Sequence, residues 1–318
     1  MIVVIGPKFF GYCEAIVQCF RETGLSAEYL DELPNNNSMF KMLIRIFPGL
    51  GEKISSKYHA ALLERINKDL QISKVIYIST ESITKSFVEG LREDITQIGY
   101  AWDSIKNKPT FRAVLDSVDT AASFDPADCQ NYGYKYVPLF AENMFKNANM
   151  HRGFHFSLVG SAHTERSKIA DTIDKIKDVK SFLYLYSPNI LVFLFRNKNN
   201  FLKGLKTLKT KSLSKERVAE VFKSTRFVVD FAHPGQSGLT QRTFEAIRSG
   251  AILVTNNKTS LPFEKMKNHV IYFESWDPLE FQNIVSLDKG SIVLDAELDY
   301  LLSIDRFCNQ ILEPSSEL

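Results

Sequence analysis

The chain has 318 residues, 44% hydrophobic and 24% charged, with a formal net charge of +2. That length accommodates two domains of ordinary size, and the composition is that of a folded globular protein, not of a disordered or fibrous one. Near-neutrality argues against a nucleic-acid coat, and four cysteines without C-x-x-C or zinc-like spacing argue against a disulfide scaffold or zinc cluster.

The start, Met1 to Gly6, lacks the basic stretch of a signal peptide, and no apolar run reaches the roughly 18 residues of a spanning helix. A cytoplasmic protein with reduced, buried thiols is expected. Ile2–Ile5 reads as a buried strand, bounded by Gly6-Pro7. Ala15, Ile16, Cys19 and Phe20 fall at helical spacing, and Gly24 stops that helix. A helix is predicted over Tyr58–Leu70, a strand over Val75–Ile78, and a further helix through Ile83, Phe87 and Leu91. Ile98–Ala101 reads as a strand, Thr110–Val118 as a helix and Thr120–Ser123 as a strand, followed by a turn at Phe124-Asp125-Pro126.

The pattern restarts after a polar linker near Asn143–Gly153. Phe154–Val159 is a strand, Thr164–Lys177 a helix, Phe182–Tyr186 a strand and Ser214–Lys223 a helix with Ser214 as N-cap. A last strand falls at Val270–Phe273 and a last helix near Ala296–Ile311. Alternating strands and helices give parallel, doubly wound sheets, so the expected class is α/β with two tandem Rossmann-like domains. The expected bounds are 1–148, 149–295 and a C-terminal helix, 296–318, that packs back on the first domain.

Arg226 to Asn257 is the most informative stretch. Phe227-Val228-Val229 is a short apolar strand, broken at Pro234-Gly235; Leu239, Thr243, Ala246 and Ile247 then share one helical face. Gly250 ends the helix and Ala251–Val254 is strand-like, which completes a β-α-β unit. Its loop and helix N-terminus face the carboxyl edge of the sheet, where free N–H groups favour phosphate. Gln236, Ser237, Gly238, Thr240 and Arg242, with His233 before them, suit a diphosphate. The same loop also reads as an ordinary polar strand-to-helix connection, and Glu245 as a partner for Arg242 or Arg248.

Residues 182–217 join an apolar aromatic run, FLYLYSPNILVFLF, to a stretch from Arg196 to Arg217 with eight Lys/Arg and one Glu. Two readings stay open: a contact with an anionic membrane surface, or a core strand and helix followed by a solvated basic loop.

The blocks WDSIKN (102–107), FDPADCQNYGY (124–134), VPLF (137–140), VGSAHTER (159–166) and HPGQSGLTQRTFEAIRSGAILVTNN (233–257) resemble bacterial proteins of capsule, lipopolysaccharide and exopolysaccharide gene clusters, described as glycosyltransferases. The resemblance covers nearly the whole chain and implies GT-B architecture, two Rossmann-like domains facing across a cleft. It implies a nucleotide-sugar donor on the second domain and a glycan or lipid-linked acceptor on the first. It implies no cofactor, because the nucleotide-sugar is a substrate. The absence of Asp-x-Asp agrees with transfer that needs no metal.

Glu245-Ala246, with Gly250 after them, matches the second position of the Glu-x7-Glu motif of retaining relatives, which implies a ribose contact. Ser237 stands where that motif has its first Glu, a departure that leaves donor sugar and stereochemistry open. Donor contacts are expected from Gly160, Ser161, His163, Arg166, His233, Gln236, Ser237, Gly238, Leu239, Thr240, Arg242, Thr243 and Glu245. The lone histidines and Arg166 also have ordinary structural readings. Gly6, Tyr12, Trp102 and Ser104 are expected to bind acceptor. Asp103, ahead of Glu81, is the candidate base for its hydroxyl; Asp125 reads rather as a turn opener. An epimerase of the same shape and a non-catalytic sugar-nucleotide-binding scaffold are the alternatives.

Overall fold

A computed structural model describes residues 1–8, 10–35, 48–147, 151–162, 164–188, 206–232, 237–275, 277–287 and 294–313. The chain forms two compact units: Met1–Leu139 with Ile304–Leu318, and Phe140–Ser303. The units divide between Leu139 and Phe140, whereas the sequence reading has its boundary at 148/149.

The first unit contains β1 (Ile2–Gly6), α1 (Tyr12–Glu22), β2 (Ala27–Asp31), α2 (Pro48–Lys68), β3 (Lys74–Ile78), α3 (Lys85–Glu89), β4 (Thr96–Ala101), α4 (Arg112–Leu115), β5 (Thr120–Ser123), α5 (Pro126–Tyr132) and β6 (Lys135–Tyr136). The strands are parallel and ordered β2-β1-β3-β4-β5-β6. All five residues of β1 are buried, as a strand covered on both faces requires. Chain order reverses between β1 and β3, so the crevice outside their carboxyl ends is where ligands bind in such sheets. Gly6 and the loop Ser79–Ser82 occupy those ends.

Asp125 caps α5 by accepting from the Ala127 amide at 3.0 Å, with Pro126 in the first turn and Gly133 at φ 72° after the last. That is the turn-opening role read from the sequence. Leu70, placed on the apolar face of the predicted helix, is 82% exposed because α2 ends at Lys68.

The helix predicted over 296–311 is two helices that divide between the units. The second, Ile304–Leu312, packs into the first unit through Ile304, Phe307, Cys308 and Ile311. Phe307 meets Tyr100 edge-on at 5.0 Å, and buried Arg306 donates to the Pro138 and Leu139 carbonyls at 2.8 and 2.5 Å.

The second unit contains β7 (Phe154–Ser161), α6 (Thr164–Asp174), β8 (Ser181–Tyr186), β9 (Leu208–Lys209), α7 (Lys215–Lys223), β10 (Thr225–Asp230), α8 (Gln241–Arg248), β11 (Ile252–Thr255), β12 (Val270–Tyr272), α9 (Pro278–Ser286) and α10 (Ala296–Leu301). Its sheet is parallel in the order β12-β11-β10-β7-β8-β9. Its reversal lies between β7 and β10, so Gly160-Ser161 and Asp230 mark its crevice.

Two arginines, Arg152 half-buried and Arg248 buried, tie segments of this unit together. Arg152 donates to the Phe222, Lys223 and Thr225 carbonyls at the end of α7 and to Ser249 after α8, at 2.8 to 3.2 Å. Arg248 reaches the Ala141 carbonyl at 2.7 Å and the Asn143 and Asp299 side chains at 3.0 Å. α8 ends in a Schellman turn: Gly250 at φ 74° donates to Ile247, and Ala251 donates to Ala246.

Candidate functional site

At the crevice of the second unit, Arg166 leaves the first turn of α6 and folds back toward Gly160 of β7. Its Nη1 lies 3.4 Å from the Ser161 carbonyl, its Nη2 3.3 Å from the Phe231 carbonyl and 3.9 Å from Asp230 Oδ1. A Cβ on Gly160 would stand 3.0 Å from Nη1, so that glycine gives the guanidinium its seat. Burial lowers the Arg166 pKa, Asp230 opposes the shift, and the charge of Arg242 adds to it. Two cations held within range of each other suit a ligand carrying more than one negative charge.

Arg242 and Glu245 come from the start of α8. Arg242 Nη1 is 3.4 Å from Glu245 Oε2, and its guanidinium lies 5.0 Å from the Phe222 ring centroid. Thr240 is the N-cap residue of α8, yet its hydroxyl does not bond the helix; it donates to Asp230 Oδ2 at 2.6 Å. Leu239 and Thr243 turn their side chains into the core, so Leu239 can serve a ligand only through its amide and Thr243 contributes packing. Ser237 is exposed and Gly238 buried. Their carbonyls accept from Thr259 Oγ1 at 2.5 Å and Asn257 Nδ2 at 3.1 Å, while Asn256 Oδ1 takes the Ala232 amide at 2.9 Å. His163, His233 and Gln236 lie outside the described residues.

At the carboxyl edge of the first sheet, Trp102 follows β4 and is half-buried, edge-on to Tyr12 at 6.0 Å and 75°. Phe10, at φ 49° and 55% exposed, extends this aromatic group, with its centroid 6.4 Å from that of Tyr12. Ser79 is held at φ 40°, and its hydroxyl accepts the Trp102 amide at 2.8 Å. Asp103 Oδ1 accepts from the Ser104 amide and from Asn107 Nδ2, each at 3.0 Å. Asp128, below this loop, takes the Ile105 amide at 2.9 Å. Glu81, by contrast, is ion-paired with Lys108. Ser104 is buried with no hydroxyl partner among the described residues, and Gly6 is packed beneath Cys13 Sγ, so Gly6 supplies fit and not a ligand contact.

Sequence reasoning missed Glu32 and His59, which brace this edge. Glu32 Oε2 accepts from the amides of Glu81 and Ser82 at 2.7 and 2.8 Å and from the Ser82 hydroxyl at 3.0 Å. Burial raises the Glu32 pKa against the pull of these bonds. His59 Nε2 donates to the Glu32 carbonyl at 2.9 Å, and burial lowers its pKa. Asp230 was also missed, although a carboxylate closing the apolar run Phe227-Val228-Val229 at a crevice is a readable signal. Among the described residues, no group of three or more His, Cys, Asp or Glu side chains is placed to hold a metal ion, and no helix is long and apolar enough to cross a membrane.

Two parallel six-stranded, helix-flanked sheets in tandem define an α/β protein of GT-B architecture. Residues 141–282 match the family model described as "Glycosyl transferase-like". Among solved structures, the chain is similar to the UDP-GlcNAc 2-epimerase of Methanocaldococcus jannaschii, with TM-score 0.59, 11% identity and 98% of both chains covered. It is also similar to the UDP-GlcNAc 2-epimerase of Neisseria meningitidis bound to UDP-GlcNAc, with TM-score 0.57, 8% identity and 98% of both chains covered. Sucrose-phosphate synthase of Thermosynechococcus elongatus gives TM-score 0.50 and 8% identity over 99% of this chain and 94% of that one. No curated protein matches the sequence.

Proposed function

We propose that the protein is a glycosyltransferase that moves a sugar from a nucleotide-sugar to a glycan or lipid-linked acceptor in surface-polysaccharide biosynthesis. The observation that carries this is the pairing of Arg166 with Asp230 and Arg242 with Glu245 at the crevice of a domain that matches a glycosyl transferase-like model. As the bond between the anomeric carbon and the diphosphate oxygen breaks, the electron pair stays with the nucleoside diphosphate. The two guanidiniums stabilise that charge, a role that needs no metal or cofactor. Glu245 is the ribose contact. In an inverting transfer Asp103 takes the acceptor hydroxyl's proton as the new glycosidic bond forms; Trp102 and Tyr12 flank the acceptor ring. The protein works in the cytoplasm at the membrane surface, where the basic stretch after β8 meets anionic lipid; the aromatic residues 182–186 are themselves strand β8, with Leu185 in the core, and 189–205 lie outside the described residues.

The test is a calorimetric and thermal-shift screen against UDP-, GDP-, CMP- and dTDP-sugars, followed by transfer assays with lipid-linked glycans. Binding of a nucleoside-diphosphate sugar and its turnover only with acceptor are expected; failure of every such sugar to bind overturns the reading. A second reading, a sugar-nucleotide epimerase, draws on the fold shared with the two epimerases over 98% of both chains. Conversion of the donor sugar in the absence of acceptor would establish it.

A further inference from the structure

Asp230 has so far served only as the ion partner of Arg166, yet it is 4% exposed, ends a buried strand and touches both halves of the donor site. A buried carboxylate is costly unless compensated, and both its oxygens have partners. Oδ2 takes the hydroxyl of Thr240 at 2.6 Å; Oδ1 faces the Arg166 guanidinium at 3.9 Å. The second contact is one of charge, because Nη2 itself donates to the Phe231 carbonyl.

The first contact changes the chemistry of α8. A threonine at the N-cap ordinarily turns its oxygen onto the amides of the first turn and satisfies one of them. Thr240 has the extended backbone of an N-cap, φ −74° and ψ 160°, but its hydroxyl is drawn to Asp230 and makes no cap bond. Of the two amides that such a cap would occupy, that of Thr243 bonds the Thr240 carbonyl at 3.0 Å, and that of Arg242 is left to an incoming anion.

We infer that Asp230 is the positioning residue of the donor site: one carboxylate fixes Arg166 by charge and draws the Thr240 hydroxyl off the helix N-terminus, so that both present themselves to the diphosphate. The inference rests on the nucleotide-sugar reading above. It has a counterintuitive consequence. A bare negative charge beside an anion site repels the anion, so removing it should tighten binding; a positioning charge, when removed, loosens binding.

The experiment is a double-mutant cycle on the full-length protein, with calorimetric titration of UDP and of GDP. Asp230→Asn keeps an acceptor for Thr240 but releases Arg166, and is expected to weaken binding about tenfold. In an Arg166→Ala background the same change is expected to cost less than about twofold, or to improve binding, because only the repulsion is left to remove. Binding by Asp230→Asn as tight as wild type, or equal losses in both backgrounds, overturns the inference while the donor site stands. Absence of nucleoside-diphosphate binding by the wild type overturns both. Thr240→Val and Thr240→Ser supply the second arm should Asp230→Asn not fold. Valine, which has no hydroxyl to cap the helix, and serine, whose hydroxyl Asp230 draws away as it does that of threonine, are both expected to bind within about twofold of wild type; a clear gain by valine over serine would mean that the hydroxyl still occupies the amide and would likewise overturn the inference.

Discussion

Arg242 and Glu245 stand one helical turn apart with 3.4 Å between Nη1 and Oε2, yet their exposures differ: 22% of the arginine side chain reaches solvent and 5% of the glutamate. The carboxylate is the anchor and the guanidinium is the group presented, with the Phe222 ring supporting its other face. Arg242→Ala is therefore expected to weaken nucleoside-diphosphate binding by a factor of about 100, near the upper range for losing one charge-assisted contact. Arg242→Lys recovers little of it, because an ammonium cannot keep both the stacking and the forked geometry. Calorimetric titration checks both, and an unchanged Kd for the alanine variant removes Arg242 from the site.

Gly160 gives a test that touches no polar group. An added Cβ would meet Arg166 Nη1 at 3.0 Å and the guanidinium carbon at 3.2 Å. Gly160→Ala is thus expected to push the guanidinium off its seat and reduce diphosphate affinity several-fold, with less than about 1 kcal/mol of destabilisation, since the obstructed atoms are the end of a flexible side chain. Affinity measured beside urea unfolding separates the effects; a loss of stability with intact affinity would mean that Gly160 serves packing alone.

Asp103 and Glu81 both end up at the carboxyl edge of the first sheet, but their surroundings separate them. Asp103 is steadied by Ser104 and Asn107 on a loop that Asp128 pins from below, whereas Glu81 is exposed and engaged with Lys108. Asp103→Asn is expected to lower transfer by about 100-fold or more while donor affinity holds, and Glu81→Gln to change transfer by less than about twofold. Wild-type transfer by Asp103→Asn, measured as product per enzyme under saturating donor, removes it as the base.

What the sequence shows and what it conceals follow from the range of each interaction. The strand Thr225–Asp230, the helix after it and the strand Ile252–Thr255 were legible because a continuous apolar run gives way to 3.6-residue spacing and then to Gly250. The order of such units implied parallel sheets, and hence that Gly160, Arg166 and Thr240 belong to one sheet edge. Whether Arg166 is anchored could not be read locally, since its partner Asp230 lies on another strand. Glu32 binds residues 49 and 50 positions away, and Arg248 a carbonyl 107 away. No local pattern distinguishes these charges from solvated ones. The final helix was misread as continuous because its break at Leu302-Ser303 comes from pairing with Ala141, again a distant contact.

Arg248 is such a concealed charge. It is 2% exposed and joins α8 to Asp299 and to the Ala141–Asn143 segment. Burial alone would raise the Asp299 pKa, but Arg248 and Lys146 pull it below the ordinary aspartate value. Arg248→Ala leaves buried acceptors without a donor, which costs about 3–5 kcal/mol when one partner of a buried pair is removed. A large fall in the urea midpoint is expected, with nucleoside-diphosphate affinity of the folded protein little changed. A midpoint within error of wild type contradicts the anchoring role.

His59 makes the stability of the first unit depend on pH with a definite sign. Burial holds its folded pKa below the ordinary 6.5, although the bond to the Glu32 carbonyl opposes this. In the unfolded chain the imidazole protonates first as the pH falls, so the unfolded state binds more protons in that window. The contribution of His59 is therefore complete above 6.5 and declines as the pH falls from there through the folded value. Glu32 acts in the opposite sense: its raised pKa favours the folded state at low pH and withdraws that stability as the pH rises. Comparing wild type with His59→Gln isolates the imidazole, because both proteins keep Glu32. Urea midpoints are expected to differ most near about pH 7.5 and to converge toward about pH 5, where protonation costs the wild type and not the variant. A difference constant across that range would show that His59 is protonated equally in both states and serves only as a spacer between α2 and the Ser79–Ser82 loop.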